Sequence, residues 1–230
     1  MKRAFHLTIA AFMLLSFAAP VAAGQFEDGL AAFKRSDYAT ALRLWRSLAD
    51  QGNADAQYNL GVMYANGQGV PQDYAEAAKW YRLAADQGNA DAESNLGLMY
   101  ANGQGVAQDY AAALTWYRKA ADEGDAAAEN NLAVMYAKGQ GVPQDYAEAA
   151  KWYRLPADQG IAGAESNLGL MYLKGQGVPQ DYAEAAKWYR LAADQGNADA
   201  QFNLALMYAK GQGLPQDYVY AHMWFNLAAA

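Results

Sequence analysis

Histidine is scarce in this chain and cysteine is absent. His6 and His222 are the only imidazoles in 230 residues. Ser-His and Cys-His nucleophile pairs need an imidazole beside the nucleophile, and the familiar zinc sites need His and Cys ligands. His222 occupies a packing position of an internal repeat, where Ala78, Ala150 and Ala186 stand elsewhere, so it is expected as a satisfied core histidine. Carboxylates are plentiful, but most recur as caps and turns, and none is singled out as the acid pair of a glycoside hydrolase. The recurrent GQG turns follow helices and lack the lysine of a phosphate loop. No catalytic residue, cofactor-binding residue or metal ligand is assigned, no cofactor is expected, and the chain does not read as an enzyme.

Binding chemistry has more to offer. Residues 55, 59, 62 and 66 fall at i, i+4, i+7 and i+11, one line along a helix. In five successive copies the second place holds Asn59, Asn95, Asn131, Asn167 and Asn203, and the third holds Val or Leu. The fourth holds Asn66, Asn102, Lys138, Lys174 and Lys210. Asparagine both donates and accepts, which suits a peptide backbone, and lysine suits a carboxylate. Tyr58 and Phe202 are the aromatic residues beside this line. Lysine near a helix C-terminus is also favoured by the dipole alone.

The elements that carry these residues repeat every 36 positions. Trp80, Trp116, Trp152, Trp188 and Trp224 share that step, as do Gly67, Gly103, Gly139, Gly175 and Gly211. A fixed period of this size means an array of supersecondary units. Each unit reads as two helices. Helix A runs from a cap at Asn53 to Gly67, with Ala56, Leu60, Met63 and Tyr64 on one face. Gly61 is expected to admit a neighbouring backbone. Helix B starts at Asp73, whose spacing to Glu76 is that of a capping box. Tyr74, Ala77, Ala78, Trp80, Tyr81, Ala84 and Ala85 cover an arc too wide for one partner, so helix B is expected to pack on its own unit and on the next. The methionines at 63, 99, 135, 171 and 207 read as core.

The recurrent Ala56, Leu60, Gly61, Tyr64, Gly67, Gly69, Val70, Asp73, Ala77, Trp80, Tyr81, Ala84, Ala85 and Gly88 resemble the Sel1-like repeat, a relative of the tetratricopeptide repeat. The resemblance covers nearly everything after residue 52. It implies an all-α, right-handed α-solenoid of about 12 helices in antiparallel pairs. In tetratricopeptide relatives helix A lines the concave groove, which would place the asparagine ladder and the lysines there. It also implies scaffold or adaptor work in the envelope. Some exported relatives staple each repeat with disulfides; this chain, without cysteine, departs from them.

Residues 1–23 read as a signal peptide. Lys2 and Arg3 precede an apolar run from Ala4 to Phe17, too short for a bilayer, and Val21-Ala22-Ala23 fits a cleavage site. Residues 24–52 read as a degenerate tetratricopeptide-like capping pair, with Trp45 at the Tyr81 position. Five units follow at 53–88, 89–124, 125–160, 161–196 and 197–230. Pro156 and Ile161 interrupt the pattern, and a kink or soft joint is expected over 156–163. Trp224, Phe225 and Leu227 in the last helix leave apolar surface that self-association or a partner would cover. Removing Lys2 and Arg3 takes the formal net charge from −7 to −9, which argues against nucleic acid and anionic membrane surfaces. After signal cleavage no stable membrane insertion is expected. The resulting expectation is an exported, periplasmic, noncatalytic scaffold that binds a protein or peptide segment in its groove. The alternatives are an accessory scaffold for envelope polysaccharide or peptidoglycan and, behind it, an enzyme on cell-wall-like substrates.

Overall fold

The computed structural model describes residues 24–229. The expected signal peptide, 1–23, lies outside them, as does Ala230. Twelve helices and no strand occur among the described residues. The chain divides into two compact units, Met1–Gln108 and Asp109–Ala230. The first holds α1 (24–34), α2 (Tyr38–Ala49), α3 (Ala54–Asn66), α4 (Tyr74–Ala85) and α5 (Ala90–Asn102). The second holds α6 (Tyr110–Asp122), α7 (Ala126–Lys138), α8 (Tyr146–Asp158), α9 (Ala162–Lys174), α10 (Tyr182–Asp194), α11 (Ala198–Lys210) and α12 (Tyr218–Ala228). Within each unit helices pack on their sequence neighbours, the all-α solenoid arrangement in which each pair buries its apolar faces against the next.

Local chemistry sets the helix ends. Asn53 Oδ1 accepts the Ala56 amide at 2.8 Å, and Asp73 Oδ1 accepts the Glu76 amide at 3.0 Å. The helices of the A type, α3, α5, α7, α9 and α11, each close on a glycine in the left-handed region. In the first pair, α1 and α2 are joined by 35–37 alone, without the longer GQG connection.

The core is built of aromatic residues that reach in both directions. Trp80 packs with Trp45, Leu48, Leu60 and Met63. Trp188 packs back on Ala149, Ala150 and Tyr153, while Tyr189 sits with Ala200 and Leu204 of the following helix. Helix B therefore touches the preceding pair as well as the following one. The expected role of Gly61 also needs correction. A Cβ there would lie 2.5 Å from the Tyr81 ring, so the glycine makes room for a side chain. The close backbone approach occurs at Gly105, where a Cβ would lie 2.2 Å from the Tyr74 carbonyl.

Pro156 does not end the helix that carries it. α8 runs through Pro156 to Asp158, the same 13 residues as α10. Pro156 is buried in the last turn, where little helix remains to be disrupted. What the irregular junction does lack is a cap. Ile161 precedes α9 with no side-chain hydrogen bond to it and is 41% exposed. His222 also departs from expectation: it is exposed, its Nδ1 3.1 Å from Asn226 Nδ2, because no described helix follows α12 to bury that face.

Candidate functional site

The line of residues along the A helices forms a surface with relief. In the first unit it borders a cleft of about 380 Å³. Tyr58, Val62 and Asn66 come from α3, Asn95 and Leu98 from α5, and Tyr74 and Tyr81 of α4 form part of the lining. Helical spacing puts Tyr58, Val62 and Asn66 on one side because they lie about one turn apart. Tyr81 is buried, and burial pushes its hydroxyl well above the ordinary tyrosine value, with Tyr58 nearby adding to the effect. The Tyr58 and Tyr81 ring centroids are 5.9 Å apart. Leu98 is 41% exposed, an apolar edge facing solvent. No charged side chain lines this cleft.

The asparagine ladder stands half-buried at every step: Asn59, Asn95, Asn131, Asn167 and Asn203. Its expected donor role changes at two steps. Asn95 Nδ2 donates to the Asp91 carbonyl and Asn203 Nδ2 to the Asp199 carbonyl, each at 2.9 Å. A short amide side chain on a helix reaches its own i−4 carbonyl, which takes one donor and leaves Oδ1 to accept from a ligand. Asp55, at the head of the line, accepts from Asn89 Nδ2 at 3.1 Å and so ties α3 to the cap of α5.

In the second unit the same line ends in Lys138, Lys174 and Lys210, the last residues of α7, α9 and α11, all exposed. Beside them Val134, Leu170 and Leu206 are half-buried. Phe202, at the Tyr58 position of this unit, is 50% exposed and meets Phe225 edge-on at 5.4 Å.

A second recurrent set was missed in the sequence. Arg46, Arg82, Arg118, Arg154 and Arg190 each donate from Nη2 to the hydroxyl of the tyrosine 18 residues on, namely Tyr64, Tyr100, Tyr136, Tyr172 and Tyr208. Arg46, Arg154 and Arg190 also lie over Trp80, Trp188 and Trp224. The signal was present as a charge recurring every 36 residues inside an apolar helix. These contacts join neighbouring pairs and lie outside the lining of the cleft.

The shifted acids are elsewhere too. Glu129 and Glu165 are buried, and burial raises both carboxyls above the usual range. Gln159 donates to Glu129 at 3.4 Å and Gln195 to Glu165 at 2.8 Å, so both belong to helix junctions. Among the described residues no group of three or more His, Cys, Asp or Glu is placed to hold a metal ion, and no helix is long and apolar enough to cross a membrane.

The repeat geometry has counterparts in known proteins. The family model described as Sel1 repeat matches residues 24–53, 54–89, 90–125, 126–161, 162–197 and 198–230. The crystal structure of c5321, a protective antigen present in uropathogenic Escherichia coli strains and displaying an SLR fold, is 39% identical with a TM-score of 0.86. That similarity covers 94% of this chain and 48% of the other, so this chain spans about half of that protein. A Sel1 repeat protein from Oxalobacter formigenes is 36% identical with a TM-score of 0.84, over 89% of this chain and 82% of that one. No curated protein matched. Six matched repeats over a solenoid of helix pairs, with two solved relatives above 35% identity, make this chain a member of the Sel1 repeat family.

Proposed function

We propose that this chain is a noncatalytic scaffold that holds a protein or peptide segment along the exposed line of its A helices. The observation that carries the reading is the cleft beside Tyr58, Val62, Asn66, Asn95 and Leu98, where the repeat positions singled out by spacing border one concave surface. An apolar patch with a few amides at its edge can bury one side chain of an extended segment and accept from its backbone. Repeated shallow contacts along a solenoid add to affinity without a deep pocket. The signal-like residues 1–23 support export, with the periplasm as the working compartment.

Selection of a displayed random-peptide library on the purified protein tests this reading. The counter-target is a variant carrying Leu98→Glu and Asn95→Ala, both on exposed or half-buried positions. Sequences that bind the parent and not the folded variant are the expected result. Sequences that bind both equally would place binding away from the cleft.

A second reading draws on the same cleft. Three tyrosines, three amides and no charge also suit the apolar face and hydroxyls of a neutral saccharide. Glycan-array binding lost in Tyr58→Ala, with no peptide selected, would favour an envelope-polysaccharide scaffold.

A further inference from the structure

We infer that the A-helix face of residues 109–230 binds an acidic, extended peptide segment, read by Lys138, Lys174 and Lys210. The inference rests on the groove reading above and gives it a partner chemistry. Its starting point is the fate of every cation in this unit. Arg118, Arg154 and Arg190 are held by Tyr136, Tyr172 and Tyr208. Lys119 lies over the Trp116 ring at 4.2 Å. Lys151 pairs with Glu148 at 2.8 Å and Lys187 with Glu184 at 3.4 Å. Lys138, Lys174 and Lys210 alone have neither an ion pair nor a ring contact among the described residues. All three occupy one repeat position and are exposed.

The helix dipole favours lysine at such an end but does not require it. α3 and α5 end in Asn66 and Asn102 at the same position, with the same left-handed glycine after them. The charge is therefore not a condition of the fold. It also sets the two units apart. The line in the first unit carries Asp55 and Asp91 and no cation, whereas the line in the second carries three lysines and one acid, Asp199. A cationic row on a chain of net charge −7 is a local inversion, and charge complementarity selects an acidic occupant. Val134, Leu170 and Leu206, half-buried next to the lysines, supply apolar contact, and Asn131, Asn167 and Asn203 lie one turn further back for the backbone. Chain extension suits the row, because an extended peptide advances about 3.3 Å per residue and so passes from one repeat to the next within a few residues.

The test uses a fluorescein-labelled oligoglutamate of about ten residues, about 33 Å long when extended. Anisotropy is read on the full chain, on a Lys138→Asn, Lys174→Asn, Lys210→Asn variant, and with an oligoglutamine of equal length. Asparagine is the residue the chain itself uses at this position, so the variant is expected to melt with the parent. The expected result is saturable oligoglutamate binding that weakens at least about tenfold in the variant and falls with added salt, with no oligoglutamine binding. Equal binding by parent and variant would overturn the inference. So would heparin binding as tight as oligoglutamate and equally dependent on the three lysines, since the row would then serve an anionic glycan. Absence of oligoglutamate binding, alongside neutral peptides selected at Leu98, would remove the inference and leave the groove reading standing.

Discussion

Arg154 Nη2 donates to the Tyr172 hydroxyl at 2.5 Å, and its guanidinium also lies 5.2 Å from the centre of the Trp188 ring. One side chain thus joins α8 to both helices of the pair that follows. A planar cation can lie over an aromatic face and donate at its edge at the same time, which an ammonium cannot reproduce. Arg154→Ala is expected to cost about 1–2 kcal/mol. Arg154→Lys should recover less than half of that loss. Urea unfolding midpoints of the three proteins decide it, and a Lys variant equal to the parent would show that charge alone suffices.

Glu165 occupies a place where Gln57 and Gln201 stand in other repeats. Gln201 Nε2 donates to the Ala193 carbonyl and Gln57 Nε2 to the Ala49 carbonyl, each at 3.1 Å. An ionised carboxylate has no proton for such a carbonyl, and burial raises its pKa, with the Gln195 hydrogen bond opposing. A raised folded value means the fold binds the proton more tightly than the unfolded chain. The stability tied to that proton is full below the ordinary glutamate value and is lost as pH rises through the raised one. Glu165→Gln should therefore stabilise the protein by about 1 kcal/mol at neutral pH. The difference in melting temperature between variant and parent should shrink towards pH 4. A pH-independent difference would rule out this titration as its cause.

Ile161 leaves the first turn of α9 without a side-chain acceptor. Asn53, Asn89, Asp125 and Asn197 fill that role in other repeats, with acceptor distances of 2.6–2.9 Å. Ile161→Asn should add about 1 kcal/mol and raise the melting temperature by about 2–4 °C. No gain on thermal unfolding would mean that backbone solvation already meets the need.

Gly61 and Gly105 are both crowded, but by different things. At Gly61 the obstacle is the Tyr81 ring, and the chain carries Ala133 and Ala205 at the equivalent position, packed near Tyr153 and Phe225. At Gly105 the obstacle is the Tyr74 carbonyl, and φ is +69°. A ring can tilt, whereas a helix start held by its own hydrogen bonds cannot. Gly61→Ala should stay within about 1 kcal/mol of the parent, the gain in helix propensity offsetting the ring shift. Gly105→Ala should cost about 2 kcal/mol or more. Denaturant midpoints of the two variants check the order, and equal losses would contradict it.

Part of the cleft lining could be read before the fold. The 36-residue step placed Asn66 on the line of one A helix and Asn95 and Leu98 on the equivalent line of the next, and all three border the cleft. Their depth could not be read, because Tyr74 and Tyr81 reach the cleft from α4 and spacing along α3 says nothing of them. The donor state of Asn95 was equally hidden, since it depends on a rotamer that turns Nδ2 back to Asp91.

The sequence by itself determined the helices, their caps and the repeat. Capping residues, left-handed glycines and apolar periodicity act over a few residues, and 36-residue recurrence copies their result along the chain. Only the tertiary structure decided what each buried side chain faces. It turned Trp188 towards the preceding pair and Tyr189 towards the following one, set the Tyr81 ring against Gly61, joined Arg154 to Tyr172, and carried α8 through Pro156. Those outcomes depend on contacts between residues distant along the chain, where packing geometry rather than local preference selects the partner.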